Sequence, residues 1–219
     1  MTTYLITGTD KGIGLAYSQE LKKRGETVIA VCRHPSEELK NLGVQIEAGI
    51  DITSDESVAE LAQRLQGSAI DVLVNNAGIL EADDLDRLSF ESILRQFQVN
   101  AVGTLRVTKA LLPLLHEGSK IAIMTSRMGS VEDNSSGGYY GYRMSKAALC
   151  MVGKSLAIDL KPRQIAVAIL HPGMVKTRMT DNTGISPTEA VQGLLQRIEQ
   201  LNLNNSGTFW HAKGEVLPW

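Results

Sequence analysis

The apolar positions along this chain change period repeatedly. Short, continuously apolar runs rich in β-branched residues alternate with longer stretches in which apolar residues recur every three or four positions. The first kind predicts strands over Thr3–Thr7, Thr27–Cys32, Ile70–Val74, Lys120–Thr125 and Ile165–Leu170. A weaker strand is expected over Val44–Ala48 and a last short one over Gly207–Trp210. The second kind predicts helices over Gly12–Arg24, Ser54–Gln66, Tyr140–Leu160 and Thr188–Leu201. It also predicts a helical region from about Ser89 to His116, which Pro113 should bend near its end. Ser54 or Thr53 is the expected N-cap of the helix that follows them.

Strands apolar on both sides, each followed by a helix, require a parallel sheet covered on both faces. Right-handed crossovers then give an α/β, doubly wound (Rossmann) sheet of about seven strands. No linker, repeat or low-complexity tract interrupts residues 1–219, so a single domain is expected. Ligands bind such sheets beyond the carboxyl ends of the strands, and the polar, glycine-rich loop Gly129–Gly138 lies at one of them.

Composition narrows the function. A formal net charge of -2 argues against nucleic-acid and membrane-surface partners. Cys32 and Cys150 stand in apolar surroundings with neither disulfide nor metal-ligand spacing, so both read as buried thiols and no metal site is expected. The strand pattern begins by Thr3 and no apolar run approaches a membrane span, which makes a cytoplasmic protein the expectation.

The first strand–helix junction reads Thr7-Gly8-Thr9-Asp10-Lys11-Gly12-Ile13-Gly14. Glycines there allow a tight turn and close approach of a pyrophosphate, which the helix N-terminus would receive. The spacing is Thr-Gly-x-x-x-Gly-x-Gly rather than Gly-x-Gly-x-x-Gly. The second strand ends Cys32-Arg33-His34, with no acid for ribose hydroxyls. Arg33 together with Lys11 therefore favours NADP(H), with its 2′-phosphate, over NAD(H). Asp10 either touches the cofactor or caps the following helix.

Tyr142 and Lys146 are four apart on the predicted helix, hence on one face. A cation at ~4 Å and an effective dielectric near ~20 is worth about 4 kcal/mol, or ~3 pKa units before desolvation. The pair thus predicts a tyrosine able to exchange a proton near neutral pH.

With these motifs the chain resembles the short-chain dehydrogenase/reductase family along nearly its whole length. Asp51-Ile52 follows the third strand, Asn75-Asn76-Ala77-Gly78 the fourth, and Asn100 lies in the next helical region. Ser126 ends the fifth strand, and Pro172-Gly173-Met174-Val175-Lys176-Thr177 follows the sixth. The resemblance implies a catalytic set of Asn100, Ser126, Tyr142 and Lys146. Asp51 and Ile52 would meet the adenine, and Asn76, Ala77 and Gly78 its ribose side. Pro172, Gly173, Val175 and Thr177 would hold the nicotinamide carboxamide. Lys146 would hold the nicotinamide ribose, and Asn100 would fix a water in the proton relay. Ser130 lies closer to the family's usual spacing from the tyrosine. Ser126 is preferred because Met124-Thr125-Ser126-Arg127-Met128-Gly129 matches the strand-end serine followed by x-x-Gly.

The loop Gly129–Tyr139 and the ending Gly214–Trp219 resemble a narrower branch, the C-factor and sniffer type of carbonyl reductase. The implied activity is hydride transfer between NADP(H) and a small carbonyl or alcohol. The alternative is a nucleotide-sensing or signalling protein on the same fold. The segment Arg178–Pro187 is short for a substrate lid, so a shallow pocket is expected, with Met128, Met174 and Val175 as apolar walls. Small residues on Asn100–His116 and Tyr140–Leu160 (Ala101, Gly103, Ala147, Ala148, Gly153, Ala157) accompany a homodimer in relatives, or a homotetramer.

Overall fold

The computed structural model describes Met1–Trp219. Alternation within single strands decides which helices cover which face. In β1 (Thr3–Thr7), Tyr4 and Ile6 join a core with Leu15, Tyr17 and Leu21 of α1 (Gly12–Lys23) and with Val191, Leu194 and Ile198 of α7 (Pro187–Gln200). Leu5, between them, joins the opposite core. There it meets Val58 and Leu61 of α3 (Asp55–Arg64), Val107 and Leu111 of α5 (Thr104–Leu111), and Leu149 of α6 (Tyr140–Asp159).

The sheet has seven strands. After β1 come β2 (Thr27–Cys32), β3 (Gln45–Ala48), β4 (Ile70–Asn75), β5 (Leu115–Met124), β6 (Ala166–His171) and β7 (Phe209–His211). Their spatial order is β3-β2-β1-β4-β5-β6-β7, and every neighbouring pair is parallel. The order reverses between β1 and β4, the place where such sheets open a ligand crevice. No helix is long and apolar enough to cross a membrane.

Ser54 is the N-cap of α3, its hydroxyl accepting from the Ser57 amide at 3.1 Å. A short helix unmarked by periodicity, α2 (Glu37–Lys40), is capped by Ser36. The helical region expected from Ser89 to His116 is a composite that ends at Leu114. It comprises α4 (Phe90–Phe97), a π segment Gln98–Gly103, α5, and a 3₁₀ turn Leu112–Leu114. Pro113 lies in that turn, and Leu115 and His116 already belong to β5. The β4–β5 register shifts between Ile70 and Val72, which lets β5 begin early.

Most of the small residues on these helices face inward. A Cβ on Gly103 would lie 2.9 Å from Ile52 Cδ1, and one on Gly153 2.6 Å from Ile169 Cγ1. Ala101 and Ala157 are buried, so they serve close approach to the sheet. The outward faces carry Phe90, Leu94, Phe97 and Leu105 on α4 and α5, and Met144, Met151 and Ile158 on α6.

Candidate active site

Every site motif except Asn100 and the Tyr142/Lys146 pair directly follows a strand, and together they line one edge of the sheet. A cleft of about 1250 Å³ opens there. Gly8, Asp10, Lys11, Gly12 and Ile13 form one part of its wall, and Arg33, Asp51 and Ile52 the next. Asn76, Ala77 and Gly78, then Tyr142 and Lys146, then Pro172 and Thr177 complete it.

Two glycines of the turn are required by geometry. Gly8 has φ +71°, and a Cβ there would stand 2.8 Å from Ala77 Cα. A Cβ on Gly14 would collide with the Gly8 carbonyl oxygen and lie 2.7 Å from Asn76 Nδ2. Gly14 therefore packs helix to sheet and lies off the cleft wall. The turn is braced from β4: the amides of Asn76 and Ala77 both donate to Thr7 Oγ1 at 3.0 Å. Asn76 Nδ2 donates to the Thr7 carbonyl at 2.9 Å.

Asp10 does not cap α1. Lys11 is the N-cap residue, no side chain receives the first amides, and Asp10 pairs with Lys11 at 3.6 Å. The amides of a glycine turn and an uncapped helix start together suit a pyrophosphate, so the chain fits a dinucleotide on its own donors. Thr177 closes over this turn, since a Cβ on Gly12 would lie 3.3 Å from its Cγ2. Asp51 uses Oδ1 to accept from the Thr53 amide at 2.8 Å and hydroxyl at 2.7 Å. Those bonds, helped by Arg33 and Arg106, hold its carboxyl below the usual range, so it stays an acceptor. Val175 is buried and bridges Ile185, and Gly173, at φ +84°, packs on the His211 ring. Neither lines the wall, so the apolar side wall expected from Val175 does not exist. Met128 and Met174 do not line it either, and Met179 is the exposed methionine on the cleft wall.

Tyr142 and Lys146 are both buried at the start of α6. The Lys146 Nζ lies 5.6 Å from the Tyr142 ring centre and donates to the Met124 carbonyl at 2.9 Å. Burial pushes the phenol up to about 12, with the Ser126 hydroxyl acting against the rise. The expected lowering by the lysine is thus corrected: burial sets the direction of the shift, only Ser126 acts against it, and the ammonium is turned to a carbonyl. Burial also pushes Lys146 down to about 8.

Ser126 accepts from the Met128 amide at 3.2 Å and stands at the phenol. Ser130 is committed to the loop, its hydroxyl accepting from the Asp133 amide at 3.1 Å. The geometry thus favours Ser126 as the site serine. Between them, Gly129 lets the loop lie directly on α6, because a Cβ there would fall 2.7 Å from the Lys146 carbonyl carbon.

Asn100, fully buried in the π segment, accepts from the Ile79 amide at 2.8 Å. It donates to the Ile79 carbonyl and to Ser145 Oγ, both at 2.9 Å. Ser145 in turn donates to the Tyr142 carbonyl at 2.8 Å. Asn100 is therefore tied to the helix that carries the tyrosine. Ser145 and Asp83, an acceptor for the α6 amides, were not singled out in the sequence. His171, at the end of β6, is pushed down to about 3 by burial and by the neighbouring His211, Arg127 and Lys146, so it is neutral.

Known proteins share this arrangement. A curated relative, the 1-hydroxy-2-glutathionyl-2-methyl-3-butene dehydrogenase of Rhodococcus sp. (strain AD45), is 43% identical over 226 residues, covering 100% of both chains. Among solved structures, the carbonyl reductase Sniffer of D. melanogaster has 30% identity and a TM-score of 0.93, with 100% of each chain covered. The NADPH-bound carbonyl reductase from chicken fatty liver has 28% identity and a TM-score of 0.91, covering 100% of this chain and 99% of that one. The sequence profile described as short chain dehydrogenase matches residues 2–187. With the profile spanning the glycine turn, the strand-end serine and the tyrosine–lysine helix alike, this chain belongs to the short-chain dehydrogenase family and is an oxidoreductase.

Proposed function

We propose that this enzyme interconverts a small carbonyl compound and its alcohol, with NADP(H) as hydride carrier. One observation carries the reading: a phenol, a serine hydroxyl and a lysine ammonium are buried together where the cleft lined by the glycine turn reaches the end of β5. When bound, the reduced nicotinamide supplies the hydride. Tyr142 gives its proton to the carbonyl oxygen, and Ser126 donates a second hydrogen bond to the same oxygen. Donors fixed in a water-poor site stabilise the developing alkoxide more than water does. Lys146 spends one of its three donors on Met124, leaving two for the nicotinamide ribose. Asn100 holds α6 through Ser145, which keeps the phenol in register.

For the cofactor, Gly8–Gly14 would take the pyrophosphate, and Asp51 and Ile52 the adenine. Asn76–Gly78 would take the adenine ribose side, and the Pro172–Thr177 segment the carboxamide. Arg33 is exposed on the cleft wall and forms no ion pair, so it is free for a 2′-phosphate. The chicken carbonyl reductase structure holds NADPH, which supports NADP(H) as the carrier here. Arg33→Ala should weaken NADPH binding about tenfold or more while changing NADH binding less than about twofold. Cofactor titrations by fluorescence decide it, and equal losses would remove the preference.

The name of the Rhodococcus relative favours a second direction, oxidation of an alcohol carrying a glutathionyl thioether. Initial rates with aldehydes, diketones and quinones plus NADPH, and with glutathione-conjugated alcohols plus NADP⁺, test both. No turnover in either direction would leave the signalling alternative standing.

The exposed apolar residues of α4, α5 and α6 support a homodimer formed through these helices. Met151 is 67% exposed at the middle of α6. Met151→Glu should convert the dimer to monomer in sedimentation equilibrium; an unchanged mass would place the interface elsewhere.

A further inference from the structure

Tyr142 is the third residue of α6, so whatever fixes the start of that helix fixes the phenol. The first amides of a helix have no partner inside it and need acceptors from outside. Tyr139, at the capping position, has a left-handed backbone (φ 51°, ψ 42°) and its side chain makes no capping bond. The acceptors come from Asp83, fifty-seven residues before Tyr140. Its Oδ1 accepts from the Tyr140 amide, its Oδ2 from the Gly141 amide at 3.1 Å, and its main-chain carbonyl from the Tyr139 amide at 2.9 Å. Three consecutive donors end on one residue.

Asp83 is itself held firmly. Two residues earlier, the Glu81 amide donates to Gln96 Oε1 at 3.0 Å, and Gln96 Nε2 donates to the Glu81 carbonyl at 3.2 Å. Ser92 Oγ and Arg95 Nε, both from α4, bind the Glu81 carboxylate at 2.6 and 2.9 Å. A Cβ on Gly141 would lie 2.6 Å from Gln96 Nε2 and 3.3 Å from Asp83 Oδ2, so nothing separates α6 from this loop. The loop follows Asn76–Gly78 in the chain and thus joins the cofactor wall to the tyrosine helix.

We propose that Asp83 is a positioning residue for the reaction: its carboxylate docks the first turn of α6 and sets where the Tyr142 phenol stands against Ser126. The proposal rests on the reading of Tyr142 as proton donor. The rest of α6 is held independently of Asp83, by the Asn100–Ser145 hydrogen bond and by close packing at Gly129 and Gly153. Loss of the carboxylate should therefore loosen the first turn and leave the fold and the cofactor cleft in place. A displacement near 1 Å at a reacting group is enough to cost about 100-fold in rate.

The test compares Asp83→Ala, Asp83→Asn and Tyr142→Phe by kcat, NADPH dissociation constant and amide hydrogen exchange at Tyr140 and Gly141. Asp83→Ala should lower kcat about 10- to 100-fold with the dissociation constant within about twofold of wild type. Asp83→Asn, which keeps one accepting oxygen, should recover much of that loss while one of the two amides exchanges faster. Three results would overturn the proposal: kcat of Asp83→Ala within about twofold of wild type, Asp83→Asn as slow as Asp83→Ala, or kcat and cofactor affinity falling together. If Asp83→Ala does not fold, Asp83→Asn decides alone: a lowered kcat with faster exchange supports it, and an unchanged kcat overturns it. Full activity in Tyr142→Phe would instead remove the proton-donor reading beneath it.

Discussion

Tyr142→Phe should lower kcat about 10²- to 10⁴-fold, the range for loss of a general acid, while NADPH binding stays within about twofold. The ring stays in place, and the change removes one hydroxyl contact, that with Ser126. A hydrogen bond of that kind contributes about 1 kcal/mol to stability, so the variant should fold normally. With the phenol pushed up to about 12, it carries its proton at neutral pH and is ready for carbonyl reduction. Alcohol oxidation needs the phenolate, so its rate should rise with pH from ~7 to ~10 while the reduction rate does not rise. Steady-state rates in both directions across that range, together with cofactor binding to the variant, check the assignment. Retained reduction in Tyr142→Phe would contradict it.

Lys146→Met is expected to cost about 100-fold or more in kcat and to weaken cofactor binding, because one ammonium serves both the ribose and the tyrosine helix. Its stability effect should be small at neutral pH and distinctive in pH dependence. Burial moves this lysine from 10.5 to about 8, a cost of about 3 kcal/mol while the amine is protonated. Replacement relieves that cost but leaves the Met124 carbonyl without its donor, at about 1–3 kcal/mol. The two nearly cancel. Between pH ~8 and ~10 the unfolded chain binds a proton that the folded one has released, so wild-type stability gains a rising contribution there. Above ~10 the raised Tyr142 opposes it, since the unfolded phenol ionises first. Cys32 and Cys150, both raised by burial, oppose this in the same window. Urea unfolding at pH ~7.5 and ~9.5 should therefore show a more positive slope in wild type than in Lys146→Met. An identical slope in both proteins would contradict the burial of a charged lysine.

The sheet was legible because its central strands are apolar on both faces and bounded by polar turns, as in Thr27–Cys32, where the expected and observed limits coincide. The edge strand Gln45–Ala48 carries Gln45 and Glu47 and gives a weaker pattern. The helical region expected from Ser89 to His116 is helical as far as Leu114, and its inner divisions were hidden for a physical reason. The π segment keeps helical spacing of apolar residues, and the 3₁₀ turn at Pro113 leads straight into β5, so periodicity registers one element where there are several. Among the site residues set by chain order, Gly8, Asp10 to Ile13, Arg33, Asp51, Ile52, Asn76 to Gly78, Pro172 and Thr177 line the cleft, whereas Gly14, Ser126, Gly173 and Val175 do not. The electrostatics did not follow from spacing: an i, i+4 tyrosine and lysine specify a shared face but not burial, and burial reversed the direction of the phenol's shift. Asp83 was hidden because a cap supplied from across the fold leaves no pattern near the helix it caps.

The most direct test is isotopic. The enzyme is mixed with NADPH doubly deuterated at C4 and a panel of aldehydes and diketones, and the alcohol products are read by mass spectrometry. One deuterium on the former carbonyl carbon of a product, absent from the Tyr142→Phe reaction, is the predicted result. Alcohol products without deuterium, or no alcohol from any carbonyl while NADPH still binds, would contradict the assignment of this site to hydride transfer.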